Sequence, residues 1–161
     1  LVTVYNGVDL ERFTPSGSGG SLAKELEIPP GCPLLGAIGQ LVQRKGWQQL
    51  LDAVASSFAS HPDPQLVIIG DRWSRKEEAV LYEKQLRDQA SRPPLAGRVH
   101  WLGYREDVAR LLPQFTLLVH AARQKFFLGL GSVREHPFVV NHQYVTIAHH
   151  GRYSLVTLAR A

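Results

Sequence analysis

Nine residues, Gly-Gln-Leu-Val-Gln-Arg-Lys-Gly-Trp at positions 39 to 47, set a cationic pair between two glycines, after an apolar run and before an amphipathic stretch. Strand, glycine-bounded basic loop and helix start is the order in which α/β proteins build phosphate sites. Glycine lets the backbone approach a ligand, and the helix amino terminus offers unpaired N–H groups. Gly39, Gln40, Arg44 and Lys45 are therefore candidate diphosphate ligands, with Gln40 as hydrogen-bond donor and Arg44 and Lys45 as the charge. A pair of solvated loop cations gives the same sequence, so the elements around the loop must decide between the two.

In an open parallel sheet, ligands bind at the carboxyl ends of the strands, which singles out three further loops. Gly70-Asp71 closes an apolar run, and its plainer reading is a turn with Asp71 as a local acceptor. Gly103, Tyr104 and Arg105 are candidates to line a nucleotide, with Tyr104 flanking a base or sugar; equally, Glu106 and Asp107 could simply favour a helix start. His120 and Arg123 are candidates for a sugar-side role, although a lone histidine ending a strand is more often structural.

Other chemistry finds little support. His136, His142, His149 and His150 lack metal-ligand spacing, and Cys32 is the one cysteine, so neither a zinc site nor an internal disulfide is expected. No Gly-x-Ser-x-Gly elbow occurs. Gly129-Leu130-Gly131 begins a dinucleotide fingerprint but lacks its third glycine. No catalytic residue is assigned.

The elements that must position these loops follow from periodicity. Residues 33–39 and 64–70 are nearly uninterrupted apolar runs, as expected of strands buried on both faces. Between them Trp47, Leu50, Leu51, Val54 and Phe58 share one helical face. A helix over 74–90 is expected with a Ser74–Glu77 capping box. A third strand at 98–103, a short helix from 105 and a fourth strand at 115–121 complete the rhythm. A short helix over 21–28, capped by Ser21 and stopped by Pro29 and Pro30, precedes it. Asn6-Gly7 suggests a turn and Ser/Gly-rich 16–20 a flexible loop. The fold class is α/β, a Rossmann-like parallel sheet with right-handed crossovers and helices on both faces. Beyond residue 124 the rhythm stops. Alternation around His149-His150-Gly151-Arg152 could form a hairpin, but the tail has no place in that sheet.

Charge breaks near the same position. Residues 1 to 120 carry 13 basic and 13 acidic side chains, whereas 121 to 161 carry five and one, so the whole +4 excess lies in the tail. A nucleic-acid partner suggested by a pI near 9.5 is thereby weakened, since no recognition motif accompanies the charge. At 161 residues and 44% hydrophobic, the chain can bury one core. No run is long enough for a transmembrane segment and no signal peptide is evident at the start, so a cytoplasmic location is expected, with peripheral membrane association left open. Methionine is absent, and the expectation is a chain cut from something longer.

The blocks "VYNGVDLERFTP", "GAIGQLVQRKGWQQLLDAVA", "LVIIGD" and "VHWLGYREDVARLLPQFTLLVHAARQ" together resemble the carboxy-terminal, donor-binding lobe of a GT-B-type family 4 (glycosyl group 1) glycosyltransferase. The resemblance divides the chain into an incomplete nucleotide-sugar-binding lobe, 1–124, and a divergent tail, 125–161, hairpin or disordered. It implies transfer of a sugar from a nucleotide-sugar with retention at the anomeric carbon, without a metal or other cofactor. It also implies an amino-terminal acceptor-binding lobe as partner. Lys45 matches the family's lysine before glycine, Gln40 stands where many members have arginine, and Gly103 and Tyr104 match the base-lining region. The pattern departs where two glutamates are expected: those places hold Lys125 and Val133. The departure leaves two expectations, a donor-binding lobe inactive by itself and a noncatalytic Rossmann-like remnant or interaction module.

Overall fold

The computed structural model describes Asp9, residues 11–13 and 21–121, and the backbone of two later strands, Tyr144–His149 and Arg152–Thr157. The expected Asn6-Gly7 turn and the 16–20 loop lie outside the described residues.

The chain begins its regular structure with α1 (Leu22–Glu25), where Ser21 Oγ accepts the Lys24 N–H at 3.3 Å as the expected cap. Then follow β1 (Leu34–Ile38), a 3-10 turn (Gln43–Lys45), α2 (Trp47–Ser60), β2 (Gln65–Ile69) and α3 (Glu77–Ala90). β3 (Val99–Gly103), α4 (Val108–Leu111) with a 3-10 extension over Leu112–Gln114, and β4 (Leu117–His120) complete the alternating part. Tyr144–His149 and Arg152–Thr157 are β5 and β6.

The strand order is β3-β2-β1-β4-β5-β6, with β1 to β4 mutually parallel where they pair. Leu66 and Ile68 of β2 enter the core beneath α2 and α3, whereas Val67 and Ile69 enter the one beneath α1 and α4. Burial on both faces is why β2 reads as an unbroken apolar run. Under α2 the stripe Trp47, Leu50, Leu51, Val54 and Phe58 is buried throughout, meeting Tyr82, Leu86 and Ala90 of α3. The helices thus cover both faces, as expected.

Two local expectations are corrected. Ser74 does not cap α3; the helix starts at Glu77 with Lys76 at its N-cap, and Ser74 Oγ accepts the Lys76 N–H in the loop instead. Glu77 and Glu78 in the first turn supply the favourable charge there. The tail, given no place in the sheet, joins it: β5 pairs antiparallel with β4, Leu118 opposite Ala148, and β6 antiparallel with β5, Arg152 opposite His149. The two strands enlarge the sheet to six by an antiparallel edge. Among the described residues no helix is long and apolar enough to cross a membrane.

Candidate functional site

The chain steps from β1 to β2 to β3 in one direction, then crosses back to place β4 on the other side of β1. The strand order therefore reverses between β1 and β4, and the crevice at such a reversal is the place where open α/β sheets bind ligands. Both the Arg44–Lys45 loop and His120 are at this point.

The loop after β1 is braced from several sides. The Gly39 N–H donates to the Ile69 carbonyl at 2.9 Å and the Leu41 N–H to the Asp71 carbonyl at 3.0 Å, keeping the loops of β1 and β2 together past the strand ends. Trp47 Nε1–H donates to the Gln40 carbonyl at 2.8 Å, so a core tryptophan also fixes the loop. Gln40 Nε2 donates to the Arg72 carbonyl at 3.3 Å, which engages one of its two amide hydrogens in bracing. Gly70 closes this arrangement: a Cβ there would overlap the Gly39 carbonyl oxygen, so only glycine permits the close approach.

After the 3-10 turn Gly46 adopts φ +67°, ψ +30°, a left-handed conformation that redirects the chain into α2. Among the described residues no side chain caps α2, and its first turn holds no acidic residue. Its amino-terminal N–H groups and their partial positive charge are thus left for a ligand. Arg44 is exposed and Lys45 half-buried, and neither side chain has a hydrogen-bond or ion-pair partner among the described residues. Lys45 is near enough to His120 to act on it electrostatically. The imidazole pKa is lowered below its ordinary value, first by desolvation and then by the Lys45 charge. The cations on offer are Arg44 and Lys45, beside a largely neutral His120 at pH 7.

Further along the sheet edge, the Gly70 N–H donates to the Gly103 carbonyl at 2.7 Å, joining the third loop to the second. Asp71 Oδ1 accepts the Arg72 N–H at 2.6 Å, the local-acceptor role read from its sequence context. Gly103 has φ +65° and turns the chain toward Tyr104, which is 60% exposed. Arg105 is committed elsewhere: its guanidinium pairs with Asp107 at 2.8 Å and with Glu25 of α1 at 2.6 Å. The hydrogen bonds from Arg105 hold the Asp107 carboxyl down at about 2. Asp107 precedes α4 but caps nothing. Of the three residues expected to line a nucleotide, Gly103 and Tyr104 stand at the strand end, while the Arg105 charge is consumed in tying the loop to α1. Arg123, Lys125 and Val133 lie outside the described residues.

Sequence reasoning missed Trp73. It is 72% exposed and meets Tyr104 edge-to-face, with ring centroids 5.8 Å apart. The available signal was an aromatic residue within the otherwise polar loop "DRWSRKEE". Among the described residues no cluster of three or more metal-ligating side chains occurs.

A family model described as glycosyl transferases group 1 matches residues 21–133. Over 124 residues the chain is 37% identical to the GDP-mannose-dependent monoacylated alpha-(1-6)-phosphatidylinositol monomannoside mannosyltransferase of Corynebacterium glutamicum, a match covering 74% of this chain and 30% of that protein. Spore coat protein SA of Bacillus subtilis is 33% identical over 89 residues, 52% of this chain and 24% of that one. Among solved structures, Anabaena HepE in complex with UDP and glucose superposes with a TM-score of 0.60 at 29% identity, over 74% of this chain and 31% of HepE. The fold also matches the C-terminal domain of the group 1 protein LpcC from Francisella tularensis, with a TM-score of 0.60 at 22% identity, over 75% of this chain and 62% of that domain. The chain thus spans less than a third of the length of the curated relatives it matches.

Proposed function

From the premise that the chain belongs to the glycosyl transferases group 1 family, we propose that it forms the donor-binding part of a retaining glycosyltransferase, holding the diphosphate of a nucleotide-sugar in the crevice between β1 and β4. The observation that carries this reading is the pair Arg44 and Lys45 beside the amino terminus of α2, with neither cation partnered and the helix uncapped by a side chain among the described residues. HepE, whose described complex contains UDP and glucose, supports a nucleotide-sugar as the ligand class.

Breaking a glycosidic bond to a diphosphate builds negative charge on the departing phosphate, and catalysis requires stabilisation that grows with that charge. Lys45 and Arg44 supply cations and α2 supplies oriented N–H groups, so in this reading side chains and backbone take the place a metal would fill. The acceptor and the remaining catalytic groups come from an amino-terminal lobe across the crevice, and this chain alone turns over no substrate.

Calorimetric titration of the chain with UDP, GDP and ADP tests the reading. Saturable binding is expected, with Lys45→Ala weakening it by about tenfold or more, the scale of one charge-assisted hydrogen bond. The urea midpoint of the variant should hardly move, because a loop cation contributes little to the core. Equal affinity in the variant would remove Lys45 from the diphosphate site. A folded chain that binds none of the three nucleotides would favour the noncatalytic reading, to which Lys125 and Val133 in the expected glutamate places already point.

A further inference from the structure

Trp73 is held in an unusual backbone. The Ser74 N–H donates to the Arg72 carbonyl at 2.7 Å across a single residue, and that residue, Trp73, has φ +60°. A three-residue turn with positive φ at its centre is the rare, strained kind of γ-turn, and a bulky side chain makes it more costly. The flanks are secured on both sides. Arg72 donates from Nε to Glu83 at 2.8 Å and from Nη1 to the Ser74 carbonyl at 2.9 Å, and the Arg72 carbonyl also receives the Gln40 amide. The strain does not serve burial, since the indole it presents is among the most exposed large side chains described. It serves instead to set the indole against Tyr104, in a pair whose rings lie 84° apart. Perpendicular rings leave π faces open to a third planar group.

The position of this pair relative to the cations selects its ligand. Trp73 is on the loop after β2 and Tyr104 on the loop after β3, one and two strands from the Arg44–Lys45 loop. Neighbouring strands lie about 4.8 Å apart, so the pair stands roughly 5–10 Å along the sheet edge from the loop after β1. An extended nucleoside diphosphate covers such a distance between phosphate and base. The intervening floor is continuous, since the three loops are joined by the Gly39–Ile69, Leu41–Asp71 and Gly70–Gly103 hydrogen bonds. We infer that Trp73, with Tyr104, is a stacking platform for the nucleobase of the donor, a ligand-positioning role for a residue on the second loop of the sheet; the inference rests on the reading of the first loop as the diphosphate site.

The test is calorimetric titration of the full chain and of Trp73→Ala, Trp73→Phe and Tyr104→Ala with UDP, GDP, ADP and, separately, inorganic pyrophosphate. Trp73→Ala is expected to weaken nucleoside diphosphate binding about fivefold or more, the lower range for losing one base–aromatic stack, and to leave pyrophosphate binding unchanged. Trp73→Phe should recover most of the loss. Tyr104→Ala, which leaves the γ-turn untouched, should show a smaller loss with the same selectivity for the nucleotides over pyrophosphate. Nucleotide binding that depends on Lys45 but is unaffected by Trp73→Ala would overturn the platform and leave the diphosphate site standing. A Trp73→Ala variant that loses pyrophosphate binding to the same degree would also overturn it, by showing that the indole supports the loop rather than the base. If neither pyrophosphate nor any nucleotide binds the folded chain, both the platform and the diphosphate reading fail.

Discussion

Lys45 acts electrostatically on His120 at the switch point of the sheet, and the histidine reports on the lysine. Desolvation and the Lys45 charge both lower the His120 pKa, so the folded chain holds this ring neutral to lower pH than the unfolded chain does. The unfolded ring protonates near pH 6.5. Between that pH and the lower folded pKa the unfolded state binds more protons, so the stability this group contributes is complete above pH 6.5 and is lost as pH falls through the window. In an NMR titration, Lys45→Ala should raise the His120 pKa partway toward its ordinary value, and a bound diphosphate should raise it as well. His100 is an internal control, because burial alone lowers its pKa and its Nε2 pairs with Gln65 Oε1 at 3.1 Å. A His120 pKa indifferent to Lys45→Ala would separate the two residues. Legibility at this scale follows the distance to a residue's partners. Arg44 and Lys45 could be read because their local setting, glycine before and helix after, carries the meaning. Arg105 could not: one of its partners, Glu25, is 80 positions away, and only the folded chain reveals that the charge is already neutralised. Trp73 was hidden for a similar reason, since its exposure depends on a strained turn and on a ring from another loop.

The strands and longer helices were the most legible elements, because burial imposes its period directly. The stripe from Trp47 to Phe58 and the apolar runs of β1 and β2 are read from spacing alone and recur in the structure within a residue or so at each end. Helix starts were less legible, as Ser74 illustrates: a capping residue three positions before a glutamate signals a box, but the γ-turn at Trp73 and the extended Lys76 delay the first helical turn to Glu77. The joints between elements rest on side chains that composition does not reveal. Arg98, just before β3, donates to the carbonyls of Phe58, His61 and Pro64, and its guanidinium lies 3.8 Å from the Phe58 ring centroid. It thereby ties the end of α2 and the turn before β2 to the start of β3. Arg98→Ala is expected to destabilise the chain by about 2 kcal/mol, since it strands several partly buried carbonyls and removes a cation–π contact. Urea unfolding would measure this, with Arg98→Lys recovering only part because an ammonium cannot reproduce the planar fork. A change below about 0.5 kcal/mol, the scale of an ordinary surface substitution, would mean that solvent satisfies those carbonyls equally well.

At the scale of the molecule, the order β3-β2-β1-β4 creates the crevice, and it does so before any particular side chain is considered. That the βα rhythm implies a parallel sheet was legible. The antiparallel attachment of β5 and β6 was not, because alternation along a strand identifies a hairpin without identifying the edge it will pair with. The change in charge and pattern near residue 121 marked where the parallel rhythm ends, immediately after β4. Everything assigned to the donor therefore depends on one claim, that a nucleoside diphosphate binds along the carboxyl edge from β1 to β3. The most direct test is to map amide chemical-shift changes as UDP or GDP is added to the isotope-labelled chain. The account predicts changes centred on Gly39, Lys45 and Gly46, extending through Gly70 and Trp73 to Gly103 and Tyr104. Changes confined to another surface, such as the polar groove between α2 and α3 lined by Gln48, Asp52 and Gln89, would contradict it, as would a well-folded spectrum that no nucleotide perturbs.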